Sequence, residues 1–104
     1  MTHPRLNITD DQLAGFCRKW KIVEVWLFGS VLRDDFTPRS DIDVMVRFED
    51  AAPWSLFELA AMKLELEALT GRTVDLIEKP AVEHHRNPWT RHEILSTAER
   101  VYAA

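Results

Sequence analysis

The run Asp41-Ile42-Asp43-Val44-Met45-Val46-Arg47-Phe48 restricts the architecture more than any other stretch of the chain. Ile42, Val44, Val46 and Phe48 alternate with Asp41, Asp43, Met45 and Arg47, the period-two pattern of a strand with one face in a core. Residues two apart on a strand share a face. Asp41 and Asp43 therefore present two carboxylates side by side, with Cα atoms roughly 6–7 Å apart, while Ile42 and Val44 turn the other way into the core. A sheet built around this strand has to be covered by amphipathic helices, and the flanking sequence supplies them.

Upstream, Thr9 followed by Gln12 forms a capping box, and Ile8 with Leu13 can form the hydrophobic staple around it. Leu13, Phe16, Cys17 and Trp20 then follow helical spacing on one stripe, which makes Cys17 a core residue rather than a nucleophile. Ile22 to Phe28 is rich in β-branched and aromatic residues and ends at Gly29, as expected of a buried strand. From Ser30 to Ser40 apolar residues thin out and Thr37-Pro38 marks a turn. Downstream, Ser55 with Glu58 and Trp54 with Leu59 repeat the capping box and staple. The helix they open carries Leu59, Met62, Leu66 and Leu69 on one stripe and stops at Gly71. Thr73 to Glu78 reads as a third strand closed by Pro80, and Asn87-Pro88 opens a helix over Pro88 to Ala98. A brief strand around Arg100 to Tyr102 ends the order. These elements predict an α/β domain on a small mixed β-sheet flanked by helices.

Bulk properties narrow the function classes. The 104 residues suffice for one compact domain and are too few for two. A net charge of −4 disfavours a polynucleotide as the direct partner, although Arg86, Arg91 and His92 form a local basic cluster. The single cysteine excludes an intramolecular disulfide. No apolar stretch approaches the ~20 residues of a membrane helix, and Met1-Thr2-His3-Pro4-Arg5 lacks a signal-peptide core, so a cytoplasmic protein is expected.

The chemistry gathers around the paired aspartates. Two carboxylates held close repel, and a divalent cation relieves the repulsion; hard oxygen ligands of this kind suit Mg²⁺, bound through one or two carboxylates plus substrate phosphates. A helix between the second and third strands permits a parallel return, which would set the start of the third strand beside the start of the second. Asp75, between Val74 and Leu76, would then join Asp41 and Asp43. Three carboxylates at one sheet end can hold two metals, or let one acid draw the proton from an attacking hydroxyl. Gly29 allows close backbone approach to a phosphate, and a helical turn starting at Ser30 would offer N–H donors, with the Ser30 hydroxyl as one more. Arg33 is either a counter-charge for a triphosphate or a structural partner of Asp35.

Gly29-Ser30, ten intervening residues and Asp41-Ile42-Asp43 together resemble the signature of polymerase-β-like nucleotidyltransferases. Ser40-Asp41-Ile42-Asp43-Val44 is especially similar to the minimal, single-domain branch, and Asp75 matches the place of the family's third carboxylate. The resemblance extends from Val23 to Tyr102. It implies the polymerase-β-like nucleotidyltransferase fold for residues 1–104 as a single domain. It also implies Asp41, Asp43 and Asp75 as catalytic and metal residues, with Gly29, Ser30 and Arg33 as nucleotide-binding residues. Minimal nucleotidyltransferases are similar to the antitoxins of HEPN/MNT toxin–antitoxin pairs. That implies Mg²⁺-dependent transfer of AMP from ATP to a tyrosine of a HEPN ribonuclease toxin, in a homo- or hetero-oligomer with the toxin. Two alternatives stay beside it: an antitoxin that neutralises by binding alone, and an adenylyltransferase of a small hydroxylated molecule such as an aminoglycoside. One position departs from the pattern. Asp34 stands where the family often has glycine, and aspartate accommodates a left-handed backbone less well.

Asp-x-Asp alone usually marks a solvated strand edge, and only its conjunction with Gly29-Ser30 and Asp75 makes it specific. His84 and His85 are neighbours that diverge on any regular backbone, and they belong to a solvated loop rather than a zinc site. Trp20, Trp26, Trp54 and Trp89 read as core or staple residues, and Tyr102 as a residue packed in the last strand.

Overall fold

The computed structural model describes residues 4–34, 36–37 and 39–104. A 3-10 turn, Pro4–Leu6, leads into α1 (Asp10–Lys19), β1 (Ile22–Phe28) and a second 3-10 turn, Gly29–Leu32. Then come β2 (Ile42–Phe48), α2 (Leu56–Thr70), β3 (Val74–Glu78), α3 (Lys79–Glu83), α4 (Pro88–Thr97) and β4 (Glu99–Ala103). The four strands form one mixed sheet in the order β3-β2-β1-β4. β1 is antiparallel to β2 and β4, whereas β2 and β3 run parallel across the α2 crossover.

Both expected capping boxes form. Thr9 Oγ1 accepts the Gln12 N–H at 3.1 Å while Gln12 Oε1 accepts the Thr9 N–H at 2.9 Å. At α2, Glu58 Oε2 accepts the Ser55 N–H at 2.9 Å. Gly71 ends α2 in the left-handed conformation, φ 71°. Trp54 reaches back across the fold: its Nε1 donates to the Trp20 carbonyl at 2.6 Å and its ring meets Trp20 edge-on at 5.3 Å. The third strand ends at Glu78, just before Pro80, as expected, but a short helix that the sequence pattern does not announce follows it directly. Pro80 occupies the first turn of α3, where a missing N–H costs no helical hydrogen bond. The Thr37-Pro38 turn lies partly outside the described residues, since Pro38 is not among them; within it Ser40 N–H donates to the Thr37 carbonyl at 3.0 Å.

The sheet's two faces are covered unequally. On one, α1 and α2 bury Leu13, Phe16 and Cys17 with Met62 and Leu66 against Val25, Leu27, Ile42, Val44, Val46 and Val74. On the other, α3 and α4 cover a smaller cluster of Trp26, Met45 and Val82 edged by Phe28, Ile77 and Ile94. α4 has no buried residue of its own. Alternation along β2 and β3 turns Asp43 and Asp75 to this thinly covered face, with Met45 and Ile77 two residues on. No helix among the described residues is long and apolar enough to cross a membrane.

Candidate active site

The register of β2 and β3 assembles the site. In that ladder Ile42 pairs with Val74 and Asp43 with Asp75, so the two carboxylates stand on adjacent strands at the same level and on the same face. The start of β3 is pinned from α2: Glu67 Oε2 accepts the Val74 N–H at 2.9 Å, and Thr73 O accepts the Ile42 N–H at 2.9 Å. Asp41 lies one step before β2 and is exposed, whereas Asp43 is half-buried. Among the described residues no group of three or more His, Cys, Asp or Glu side chains is gathered closely enough to hold a metal ion. Asp41 stands one residue before the ladder that pairs Asp43 with Asp75.

The electrostatics still favour a cation. Burial pushes the Asp43 carboxyl above its ordinary range, the negative charges of Asp75 and Asp41 push it the same way, and Arg33 opposes them. Hard carboxylates strained by mutual repulsion fit Mg²⁺, which usually takes one or two protein carboxylates and completes its shell with waters and phosphates. Asp43 and Asp75, with Asp41 beside them, could hold such an ion.

Gly29 closes the other side. Phe28 pairs with Asp43 across β1 and β2, which brings the following residue, Gly29, against the Asp43 carboxylate. Its φ is 73°, and a Cβ placed there would collide with Asp43 Oδ2. Only glycine satisfies both demands. The 3-10 turn begins at Gly29 rather than Ser30. Ser30 Oγ donates to the Asp41 carbonyl at 3.3 Å, tying the turn to the entry of β2 instead of pointing outward as a spare donor. The turn ends at Arg33, whose backbone is extended at φ −109° and ψ 161°. Beyond glycine, only Asn7, Lys21 and Ala51 have positive φ among the described residues. Asp34 is not in the left-handed region, so replacing the family's glycine there introduces no backbone strain. Asp35, the suggested structural partner of Arg33, lies outside the described residues.

Two features of the site were not visible in the sequence pattern. A cleft of about 350 Å³ opens beside Gly29 and Arg33, walled by Phe28 and Leu32 on one side and by Glu93, Ile94 and Thr97 of α4 on the other. Its size is that of a small-molecule pocket. Two arginines from remote segments also brace the turn and the loop that leads from it to β2. Arg5 Nη1 donates to the Val31 carbonyl at 3.0 Å, and Arg72 Nη1 to the Thr37 carbonyl at 3.0 Å. Their guanidinium groups both lie over the Phe36 ring, at 5.5 Å and 4.3 Å. No local motif links Arg5, Phe36 and Arg72, which is why sequence spacing alone misses them. His84 and His85 are exposed, and His85 Nδ1 only accepts the Asn87 N–H at 3.1 Å.

A mixed sheet with paired acids beside a glycine turn defines the nucleotidyltransferase class. Residues 10–100 match the family model described as a nucleotidyltransferase domain, and the chain belongs to that family of enzymes. It is 37% identical over 76 residues to a candidate protein adenylyltransferase of Methanocaldococcus jannaschii, a match covering 73% of each chain. It is 34% identical over 65 residues to the protein adenylyltransferase MntA of Thermococcus cleftensis, covering 62% of this chain and 64% of that one. A solved candidate minimal nucleotidyltransferase superposes with a TM-score of 0.66 at 31% identity, over 88% of this chain and 87% of the other. A toxin–antitoxin complex crystallised with AMP-PNP contains a chain of the same fold, with a TM-score of 0.69 at 16% identity, over 93% and 75% of the two chains.

Proposed function

We propose that the chain is a Mg²⁺-dependent protein adenylyltransferase that moves AMP from ATP to a tyrosine hydroxyl of a HEPN-family toxin, and so acts as its antitoxin. The observation that carries the chemistry is the in-register pair Asp43–Asp75 set against Gly29. Relatives named protein adenylyltransferase, and a similar fold in a toxin–antitoxin complex with AMP-PNP, support the direction of transfer and the kind of acceptor.

In this reading Asp41 and Asp43 would hold the metal with Asp75 completing the site, and such an ion would supply charge neutralisation for the triphosphate. Gly29 and Ser30 let the backbone approach the phosphates, and Arg33 adds a counter-charge. The cleft between Phe28, Leu32 and Ile94 receives the nucleoside. The acceptor oxygen forms a bond to the α-phosphorus as the α–β phosphoanhydride bond breaks and pyrophosphate leaves. Asp75, the more exposed of the ladder pair, takes the hydroxyl proton on its carboxylate. The thin cover of this face suits a macromolecular acceptor that brings its own surface.

The test is incubation of the chain with ATP, Mg²⁺ and the toxin, followed by intact-mass analysis of the toxin. The expected result is a gain of one or more adenylyl groups that disappears with Asp43→Ala. An unmodified toxin, or full modification by Asp43→Ala, would overturn the proposal.

A further inference from the structure

Gly29, Ser30 and Arg33 reach the candidate site from a segment with little regular structure. Among the described residues, no helix or strand lies between Leu32 and Ile42. Backbone bonds within that stretch are short-range, from the Phe36 N–H to the Arg33 carbonyl at 3.3 Å and from the Ser40 N–H to the Thr37 carbonyl at 3.0 Å. Ties to distant parts of the fold come from two guanidinium groups.

Arg5 acts where the Gly29–Leu32 turn ends. The last carbonyls of a helical turn have no partner within it. Arg5 Nη1 takes two carbonyls here, donating to Val31 at 3.0 Å and also to Arg33. Its backbone is held by Leu6, which is fully buried next to it. Arg72 acts further along, donating to the Thr37 carbonyl at 3.0 Å with its guanidinium 4.3 Å from the Phe36 ring centre. It follows the left-handed Gly71, and its N–H donates to Oγ1 of the buried Thr70 at 3.3 Å. One corner of the fold carries both arginines, since Asn7 Nδ2 donates to the Thr70 carbonyl at 3.5 Å. From the same corner the Thr73 carbonyl accepts the Ile42 N–H, where the ladder that pairs Asp43 with Asp75 begins.

We propose that Arg5 and Arg72 are positioning residues for the nucleotide: through Phe36 and the loop carbonyls they hold the segment bearing Ser30 and Arg33 in its receiving conformation before the triphosphate arrives. The inference rests on the reading of the site as one that binds ATP. It adds two residues that do not line the cleft beside Gly29. A loop already held spares the nucleotide the entropy of ordering it. If release leaves about one molecule in ten competent, the apparent dissociation constant rises about tenfold. Bound nucleotide then restores the conformation, so the rate at saturation is kept.

The experiment titrates the full chain with ATP and Mg²⁺ by calorimetry without the toxin, and measures KM for ATP and kcat of transfer beside it. Arg5→Ala and Arg72→Ala should each weaken ATP at least about tenfold, raise KM by the same factor and leave kcat within about threefold. Phe36→Leu changes no charge and removes the ring under both guanidinium groups; it should weaken ATP at least about threefold. Thermal melts identify the variants that are folded at the assay temperature. Should Arg5→Ala not fold, Arg72→Ala and Phe36→Leu carry the test. A lower kcat at unchanged KM means that only the number of folded molecules has fallen, and it overturns the inference. Wild-type ATP affinity in either arginine variant does the same. So does wild-type affinity in Phe36→Leu, because the arginines would then act on the phosphates through charge alone. A wild type that binds ATP but leaves the toxin unmodified refutes the proposed acceptor, while the titrations still decide this inference. A wild type that binds no ATP ends both.

Discussion

Gly29 and Asp43 are fitted to each other: the backbone of one occupies the space into which the carboxylate of the other is turned, and a Cβ at position 29 would meet Asp43 Oδ2. The fit ties the turn that is proposed to approach phosphates to the acid that is proposed to hold the metal. Gly29→Ala has both a left-handed backbone and a collision to accommodate, at a cost of about 1–2 kcal/mol. Transfer activity is expected to fall at least 100-fold, far beyond what the loss of stability explains. A urea melt beside an activity assay separates the two; activity within tenfold of wild type would contradict the fit.

Asp43→Asn should separate stability from activity in the opposite sense. Burial and the charges of Asp75 and Asp41 all disfavour the ionised Asp43 carboxyl, so the folded chain carries an unfavourable charge there when no metal is bound. Removing that charge is expected to leave the chelator-treated protein at least as stable as wild type, with transfer abolished. Thermal melts in chelator read the first, intact-mass analysis the second. A clear loss of stability would show that Asp43 is a structural acid.

Glu24, at the far end of the same face, supplies the acid dependence of stability. Burial alone would push its carboxyl up, but hydrogen bonds from Arg47 and Arg100 outweigh it, aided by the charges of Arg47 and Lys79, and hold it below the usual carboxylate range. The distances are 2.6 Å to Arg47 Nη2 and 3.0 Å to Arg100 Nη1. A carboxyl depressed in the folded state binds fewer protons than in the unfolded chain. Its contribution is therefore full above the unfolded pKa and is lost as pH falls through the folded one. Both arginines are half-exposed, which limits the pair to about 1 kcal/mol. Glu24→Gln should be less stable than wild type by that amount at pH 7, and the gap should close on acidification below pH ~4. A gap independent of pH would assign the effect to packing.

Cys17 should be silent in the native protein. Burial pushes its thiol up to about 12, against a smaller opposing pull from Arg18. At pH 8 the thiolate is then about one part in ten thousand, and the sulfur has no solvent exposure. Modification by a thiol reagent should proceed only through opening of the fold and accelerate steeply with urea. Rapid labelling in native buffer would place Cys17 outside the core.

Most of the candidate site was legible because its parts are local. Gly29-Ser30 and Asp41-Ile42-Asp43 announce themselves by spacing, and Asp75 follows once α2 is seen to permit a parallel return. The details that escaped depend on geometry across the fold. Asp41 belongs to the strand by alternation, yet the ladder begins at Ile42 and leaves it outside. Pro80 reads as a breaker because its position within the first helical turn is invisible until the end of β3 is known. In α2, Leu59, Met62, Leu66 and Leu69 satisfy the search for a buried stripe, so the exposure of Phe57 and Leu64 on its other side goes unnoticed. The Arg5–Phe36–Arg72 stack joins segments with no shared pattern at all.

The parallel register of β2 and β3 carries one more consequence. Side chains alternate between faces, so a slip of one residue in β3 would bring Val74 or Leu76 opposite Asp43 and turn Asp75 onto the opposite face. Misaligned molecules could retain much of their helix and strand content while lacking the acid pair. Turnover per molecule is thus a proofreading measure of folding: it counts the chains whose strands have paired correctly, a population that spectroscopy of secondary structure would overestimate.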